Sequence, residues 1–257
     1  ASFLAWAVSW RAAFAIAAAA ALITFAAIRI TVPKVPALPD SGFAAQFRFL
    51  RSLEPWLVLG AIGLGNGGFF AYYSYVNPVM EHVAAVPASM MSVVITLAGA
   101  GMVLGNLFCA KISSSFSDES LAAAGQGVLL LSLASVFFLA HWSPAAIALT
   151  TLAAGCVFFI SGPEQVLMIR NAKEGQLLAA SLAQVSFNAG NAVGAWLGGL
   201  PIDAGKAANW AAMPGFFLAL AGFGLLFVNW LIHRVREEER TAGRIAALQD
   251  QIQSKAP

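Results

Sequence analysis

Long stretches without a charge dominate the chain. Counting between formally ionisable residues gives seven of them: 12–28, 55–80, 83–110, 120–140, 142–163, 175–202 and 207–232. Each holds 17 to 28 residues. A helix needs roughly 20 predominantly apolar residues to cross a bilayer. Strands of a membrane barrel would be about 9–11 residues long with strict alternation of apolar and polar positions, and these runs do not alternate. The pattern predicts an all-α integral membrane protein with seven transmembrane helices, at about 8–30, 55–78, 88–110, 119–140, 144–169, 176–200 and 207–232. The first run is short, but Arg11 and Arg29 can snorkel from its two ends.

Composition strengthens that reading. Of 257 residues, 60% are hydrophobic and only 10% charged. A soluble domain is about 25% charged, so this chain lacks the groups to coat a water-facing surface. The lipid bilayer is the expected partner, and no nucleic acid is. Cys109 and Cys156 each sit inside an apolar run, where a small helix-packing role is expected. No cysteine or histidine cluster has metal-ligand spacing, so neither metal nor cofactor is expected.

The 14 Lys and Arg residues set an orientation. Twelve of them fall in alternate connections and the tail: Arg29, Lys34, Arg48 and Arg51, then Lys111, then Arg170 and Lys173, then the five after run seven. Only Arg11 and Lys206 lie on the other side. The positive-inside rule puts the majority in the cytoplasm. That predicts an outside N-terminus and a cytoplasmic C-terminus. The first residues, ASFLAWAVSWRAAF, lack a signal peptide's basic start. Further helices upstream are the simplest expectation.

Pro33, Pro36 and Pro39 end the first helix and open a polar linker, since proline cannot continue a helix. Within it, FAAQFRFLRSLE (43–54) places Phe43, Phe47 and Leu50 on one face and Arg48 and Arg51 elsewhere. A short helix on the membrane surface is expected there. Beyond run seven the mixed charges of the tail suit a solvated helix.

Two helices divide into a smooth and a polar side at about 100° per residue. On 55–78, Asn66, Phe70, Tyr73 and Asn77 share one face, and Gly60, Gly63 and Gly67 share another roughly 90° away. On 176–200, Gln184, Asn188, Asn191 and Ala195 share a face, with Gly190, Gly194 and Gly198 beside it. Small residues spaced by four let membrane helices approach closely, so Gly63/Gly67, Gly101/Gly105 and Gly190/Gly194/Gly198 are expected to pack helices together. Buried amides and phenols in lipid need a partner or water. Asn66, Tyr73, Asn77, Gln184, Asn188 and Asn191 are therefore candidates to line a substrate cavity, or else to hydrogen-bond between helices.

Gly63, Gly65 and Gly68 also match G-x-G-x-x-G. A dinucleotide loop must follow a strand and open a helix. This match lies inside a charge-free run long enough to cross a bilayer, so it is a coincidence of glycine content. Glu164 is the one acid embedded in apolar sequence, in FFISGPEQVLMIRNA (158–172). Two roles are open to it: exchanging a proton, or sitting at the cytoplasmic rim as a pairing or gating residue. Gly162 and Pro163 just before it favour a local bend.

Four segments resemble one family. NAKEGQLLAASLAQVSFNAGNAVGAWLGGLPID (171–203), above all SFNAGNAVGAWLGG (186–199), resembles the eleventh helix of the major facilitator superfamily in its drug:proton antiporter branch, which includes arabinose efflux permease-like proteins. LRSLEPWLVLGAIGLGNGGFFAYYSYVNPVM (50–80) resembles its seventh helix, GAGMVLGNLFCAKIS (99–113) its eighth, and SWRAAFAI (9–16) the start of its sixth. The resemblance implies that the seven helices are numbers six to twelve of twelve. Residues 1–30 would then be the last helix of an N-terminal half, 31–53 a cytoplasmic linker, 54–233 a six-helix C-terminal half and 234–257 a cytoplasmic tail. It further implies a multi-pass protein of the bacterial inner membrane, a missing N-terminal half as partner, and proton-coupled efflux of small-molecule drugs or sugars by alternating access. The loop KISSSFSDES departs from the family's basic-and-acidic gating motif, with only Asp118 to supply the acid.

Two other classes fit less well. A seven-helix receptor matches the count and orientation, but the last run has no lysine for retinal, and the glycine content argues against a hormone receptor. A membrane enzyme would need a constellation of catalytic groups. His82, His141 and His233 instead sit at separate helix ends.

Overall fold

The computed structural model describes residues 10–31, 33, 43–172 and 175–254. The linker residues Lys34, Pro36 and Pro39, and Lys173 in the connection after run five, lie outside the described residues. Among the described residues every regular element is helical. The chain forms two compact units, 1–42 and 43–257.

The first unit holds helix α1 (Trp10–Thr31). Its apolar side chains, including Leu22, Ile23 and Phe25, are exposed. Its two threonines are satisfied locally: Thr24 and Thr31 donate to the carbonyls of Ala20 and Ala27, four residues back.

The second unit opens with two short turns, Phe43–Gln46 and Arg48–Arg51, rather than one continuous surface helix. Phe49 and Leu50 pack against the core, and the Trp56 indole donates to the Leu50 carbonyl at 2.8 Å. Six long helices follow: α2 (Glu54–Tyr73), α3 (Met91–Ile112), α4 (Asp118–Leu139), α5 (Ser143–Asn171), α6 (Gln176–Asp203) and α7 (Ala212–Ser254).

Among the described residues, five helices, against the seven expected, are long and apolar enough to cross a membrane; they lie within 14–31, 88–112, 118–139, 143–171 and 208–243. The two that fall short, α2 and α6, carry the packing glycines and the amide side chains. Both features dilute hydropathy.

The helices of the second unit pack in exchanged triplets. The first helix of the triplet α2–α3–α4 packs mainly on α6 and α7. The first helix of the triplet α5–α6–α7 packs on α3 and α4. This reciprocal pattern is what two repeats of three helices produce when they interlock.

Two boundaries differ from the expected ones. Helix α2 stops at Tyr73 instead of running to 78, and a separate turn, Val76–Pro78, leads into a π-helical turn, Val79–Val83. Pro78 is the cause: it lacks an N–H, and its ring would strike the carbonyl four residues earlier. Helix α7 in turn runs on well past 232, because its charged tail is rich in Glu, Arg, Ala and Leu, all good helix formers.

Candidate functional site

The glycines form backbone-to-backbone seams. A Cβ added at Gly190, Gly194 or Gly198 of α6 would fall on the carbonyl of Gly63, Gly67 or Ala71 of α2. On the companion seam, a Cβ at Gly101 of α3 would strike the Thr151 carbonyl of α5, and one at Gly105 the Gly155 carbonyl. The first helix of each triplet thus meets the second helix of the other through bare backbone. Gly65 and Gly68, on the other flank of α2, meet Gln126 of α4 and Gly215 of α7. Helix α2 is therefore thin on two sides, and neighbours come close on both at once.

The polar candidates separate. Asn66 is only 5% exposed; its amide donates to the Ile62 carbonyl at 2.8 Å and lies beside Glu164 of α5. Tyr73 is half-buried, stacked on Phe69 with ring centroids 4.8 Å apart. Asn77 lies beyond the break at Ser74–Tyr75 and is exposed. Gln184 and Asn188 are exposed on α6, with the Asn188 amide donating to the Gln184 carbonyl at 2.9 Å. Asn191 is half-buried, and its Oδ1 is buried without a hydrogen-bond partner.

Glu164 is 2% exposed, and its Oε1 has no hydrogen-bond partner. It lies seven residues from the end of α5, about 10 Å along the axis at 1.5 Å per residue. Arg170 does not pair with it. That guanidinium instead contacts Glu119 and lies 3.8 Å from Asp118, both on α4.

A charged cluster closes the same end of the unit. A polar pocket of about 340 Å³ is lined by Glu54, Glu119, Arg170, Asn229, His233, Arg236 and Glu237 among others. Arg236 pairs with Glu54. His233 Nε2 lies 3.4 Å from Glu119 Oε1, and His233 Nδ1 lies 3.9 Å from Glu237 Oε2. Glu119 is itself 2% exposed. Ser117 caps α4 by accepting from the Ser120 N–H at 3.3 Å, which fixes both acids in the first turn.

Sequence reading missed Glu119 and His233 because each stands at the polar edge of a run, where a charge is ordinary. It also missed the internal polar ties. The Tyr72 hydroxyl and Thr150 Oγ lie 2.6 Å apart, joining α2 to α5. The Gln126 amide donates to the Ala219 carbonyl at 3.2 Å, joining α4 to α7. Tyr72 and Thr150 offered no signal, since both sit in unbroken apolar sequence.

A groove of about 1260 Å³ runs between α3, α4 and α5 and is almost wholly apolar. None of the amide candidates nor Glu164 lines it. The amide candidates and Glu164 stand instead on α2, α5 and α6.

No family model matches the chain. It is 34% identical over 220 residues to the putative transporter AraJ of Escherichia coli, covering 86% of this chain and 56% of that protein. It is 25% identical over 225 residues to the uncharacterized MFS-type transporter YfhI of Bacillus subtilis, covering 87% and 56%. It is 26% identical over 207 residues to the purine ribonucleoside efflux pump NepI of E. coli, covering 79% and 51%. The chain spans about half the length of the curated relatives it matches. Its interlocked helix triplets, apolar spans and transporter relatives together make it a member of the major facilitator superfamily.

Proposed function

We propose that this chain is the C-terminal portion of a proton-coupled exporter of small molecules, working by alternating access against a second, N-terminal half. The observation that carries the proposal is Glu164. A carboxyl that is 2% exposed inside a membrane helix, with one oxygen unpartnered and an amide as its neighbour, is expensive to keep unless it serves the pathway. In this reading Glu164 exchanges the coupling proton. Asn66 orients the carboxyl, and Gln184, Asn188 and Asn191 offer amides to the substrate on the face that the second half would cover. Helices α2 and α6 count as spans here, α2 because it is buried among its neighbours and need not be apolar all round, which restores seven. The charge asymmetry supports a cytoplasmic C-terminus in the inner membrane.

Drugs or sugars are the proposed substrate class, with nucleosides a further one to assay, given what NepI is named for. The test uses the protein joined to its N-terminal half, reconstituted in vesicles with an imposed pH gradient. Gradient-driven substrate movement is expected. Glu164→Gln is expected to abolish the pH dependence while leaving the melting temperature close to that of the parent. Residues 1–257 alone are expected to transport nothing, since half the pathway is absent. Full gradient-driven transport by Glu164→Gln overturns the coupling role. Transport by 1–257 alone overturns the two-half reading.

A further inference from the structure

We infer that His233 is a second proton-binding site, separate from Glu164, whose protonation clips α7 to α4 at the charged end of the helix bundle. Geometry carries it, with or without transport.

The imidazole sits between two carboxylates. Its Nε2 faces Glu119 Oε1 at 3.4 Å, and its Nδ1 faces Glu237 Oε2 at 3.9 Å. A carboxylate only accepts hydrogen bonds. A neutral imidazole has one N–H, so one of its nitrogens must present a lone pair to an acceptor oxygen. Only the imidazolium donates from both nitrogens. The arrangement therefore suits the protonated ring on both sides and the neutral ring on one.

The surrounding charges point the same way. Four carboxylates converge on the cluster among the described residues: Glu54 from α2, Asp118 and Glu119 from α4, and Glu237 from α7. Two guanidiniums answer them, Arg170 from α5 and Arg236 from α7. Arg234 stacks 5.0 Å over the Trp230 ring. The cluster is short of positive charge, and a proton on His233 supplies it at the contact between α7 and the buried Glu119. Neutral neighbours complete the site: Asn229 lines the pocket, and the Trp230 indole already donates to Ser120 at 3.2 Å.

Proton binding and the α4–α7 contact are then linked. The contact is stronger where His233 is charged and loosens as pH rises and the ring loses its proton. Imidazole is the side chain whose charge ordinarily changes between pH 5 and 8, so a pH series across that range is the place to look for the link.

The test is thermal melting of the full chain in lipid nanodiscs, followed by tryptophan fluorescence from about pH 5.5 to 8.5. The melting temperature is expected to fall by about 2–4 °C across that range, the size expected of a partly exposed ion pair. His233→Gln is expected to melt low at every pH, with no step. His233→Arg, which keeps a charge, is expected to melt high at every pH. A His82→Gln/His141→Gln double variant is expected to keep the parental step. The inference is overturned if His233→Gln retains that step, or if His233→Arg behaves like His233→Gln. Should His233→Gln fail to fold, the ring NMR signal of His233 in the parent protein decides. Its titration midpoint must coincide with that of the melting step, and a midpoint elsewhere overturns the clip.

Discussion

Gly190→Ala adds a single methyl group inside the α2–α6 seam. That methyl would fall on the Gly63 carbonyl, with the carbonyl carbon at 2.7 Å and the Gly63 Cα at 2.8 Å, closer than the 3.0 Å that real Cβ contacts respect. Every atom in its way is backbone, so no side chain can rotate aside and the helices must part. Overpacking of this kind costs about 1–3 kcal/mol. Against it stands the gain from replacing a mid-helix glycine with alanine, about 0.5–1 kcal/mol. The net expectation is a loss of about 0–2.5 kcal/mol. Gly224 of α7 is the internal comparison: it is helical and exposed, and a Cβ there meets nothing within 4 Å. Gly224→Ala should keep the propensity gain and melt higher, by about 2–4 °C per kcal/mol. Melting in nanodiscs, followed by tryptophan fluorescence, measures both variants against the parent. If Gly190→Ala melts at or above Gly224→Ala, the seam is not a contact of bare backbones and the reasoning fails.

Further outcomes follow from the polar ties and the charge asymmetry. Arg170→Ala leaves the buried Glu119 without its guanidinium and should cost about 1–3 kcal/mol, read as a lowered melting temperature; Glu119→Gln in the same background should recover part of that loss. Tyr72→Phe removes one hydrogen bond to Thr150, whose hydroxyl also bonds the Ala146 carbonyl at 2.7 Å, so about 0.5–1.5 kcal/mol is expected and no more. A reporter that fluoresces only in the cytoplasm should light up when fused after Pro257, while an enzyme reporter active only in the periplasm should stay silent there; the reverse pair of signals refutes the orientation.

Much of the fold was readable because lipid imposes a simple rule. Charge-free runs of bilayer length mark helices whatever their neighbours are, so α3, α4 and α5 begin and end within a few residues of expectation. The rule fails where a local feature overrides apolarity. Pro78 ends α2 inside a charge-free run, and the strong helix formers after Leu231 prolong α7 beyond one. The glycine spacing on α2 and α6 pointed to close approach, and those glycines face each other across the seam. It did not reveal that Gly65 and Gly68 serve other neighbours, because one helix read alone does not say how many partners it has. The site was less legible. Glu164 stood out as a lone acid, but its neighbour Asn66 and the diversion of Arg170 to Glu119 depend on how α2, α4 and α5 cross. Sequence spacing within one helix carries no information about that.

The exchanged triplets also bear on how the protein is made. Helix α2 leaves the ribosome well before α6 and α7, its main partners through the glycine seams. Until they arrive, α2 has α4 and then α5 to pack on, and neither is its main partner. Individual membrane helices can be inserted first and assembled afterwards. Here assembly must wait for the last helix, so a chain halted after α4 would leave the close-packing glycine faces of α2 and α3 without their partners.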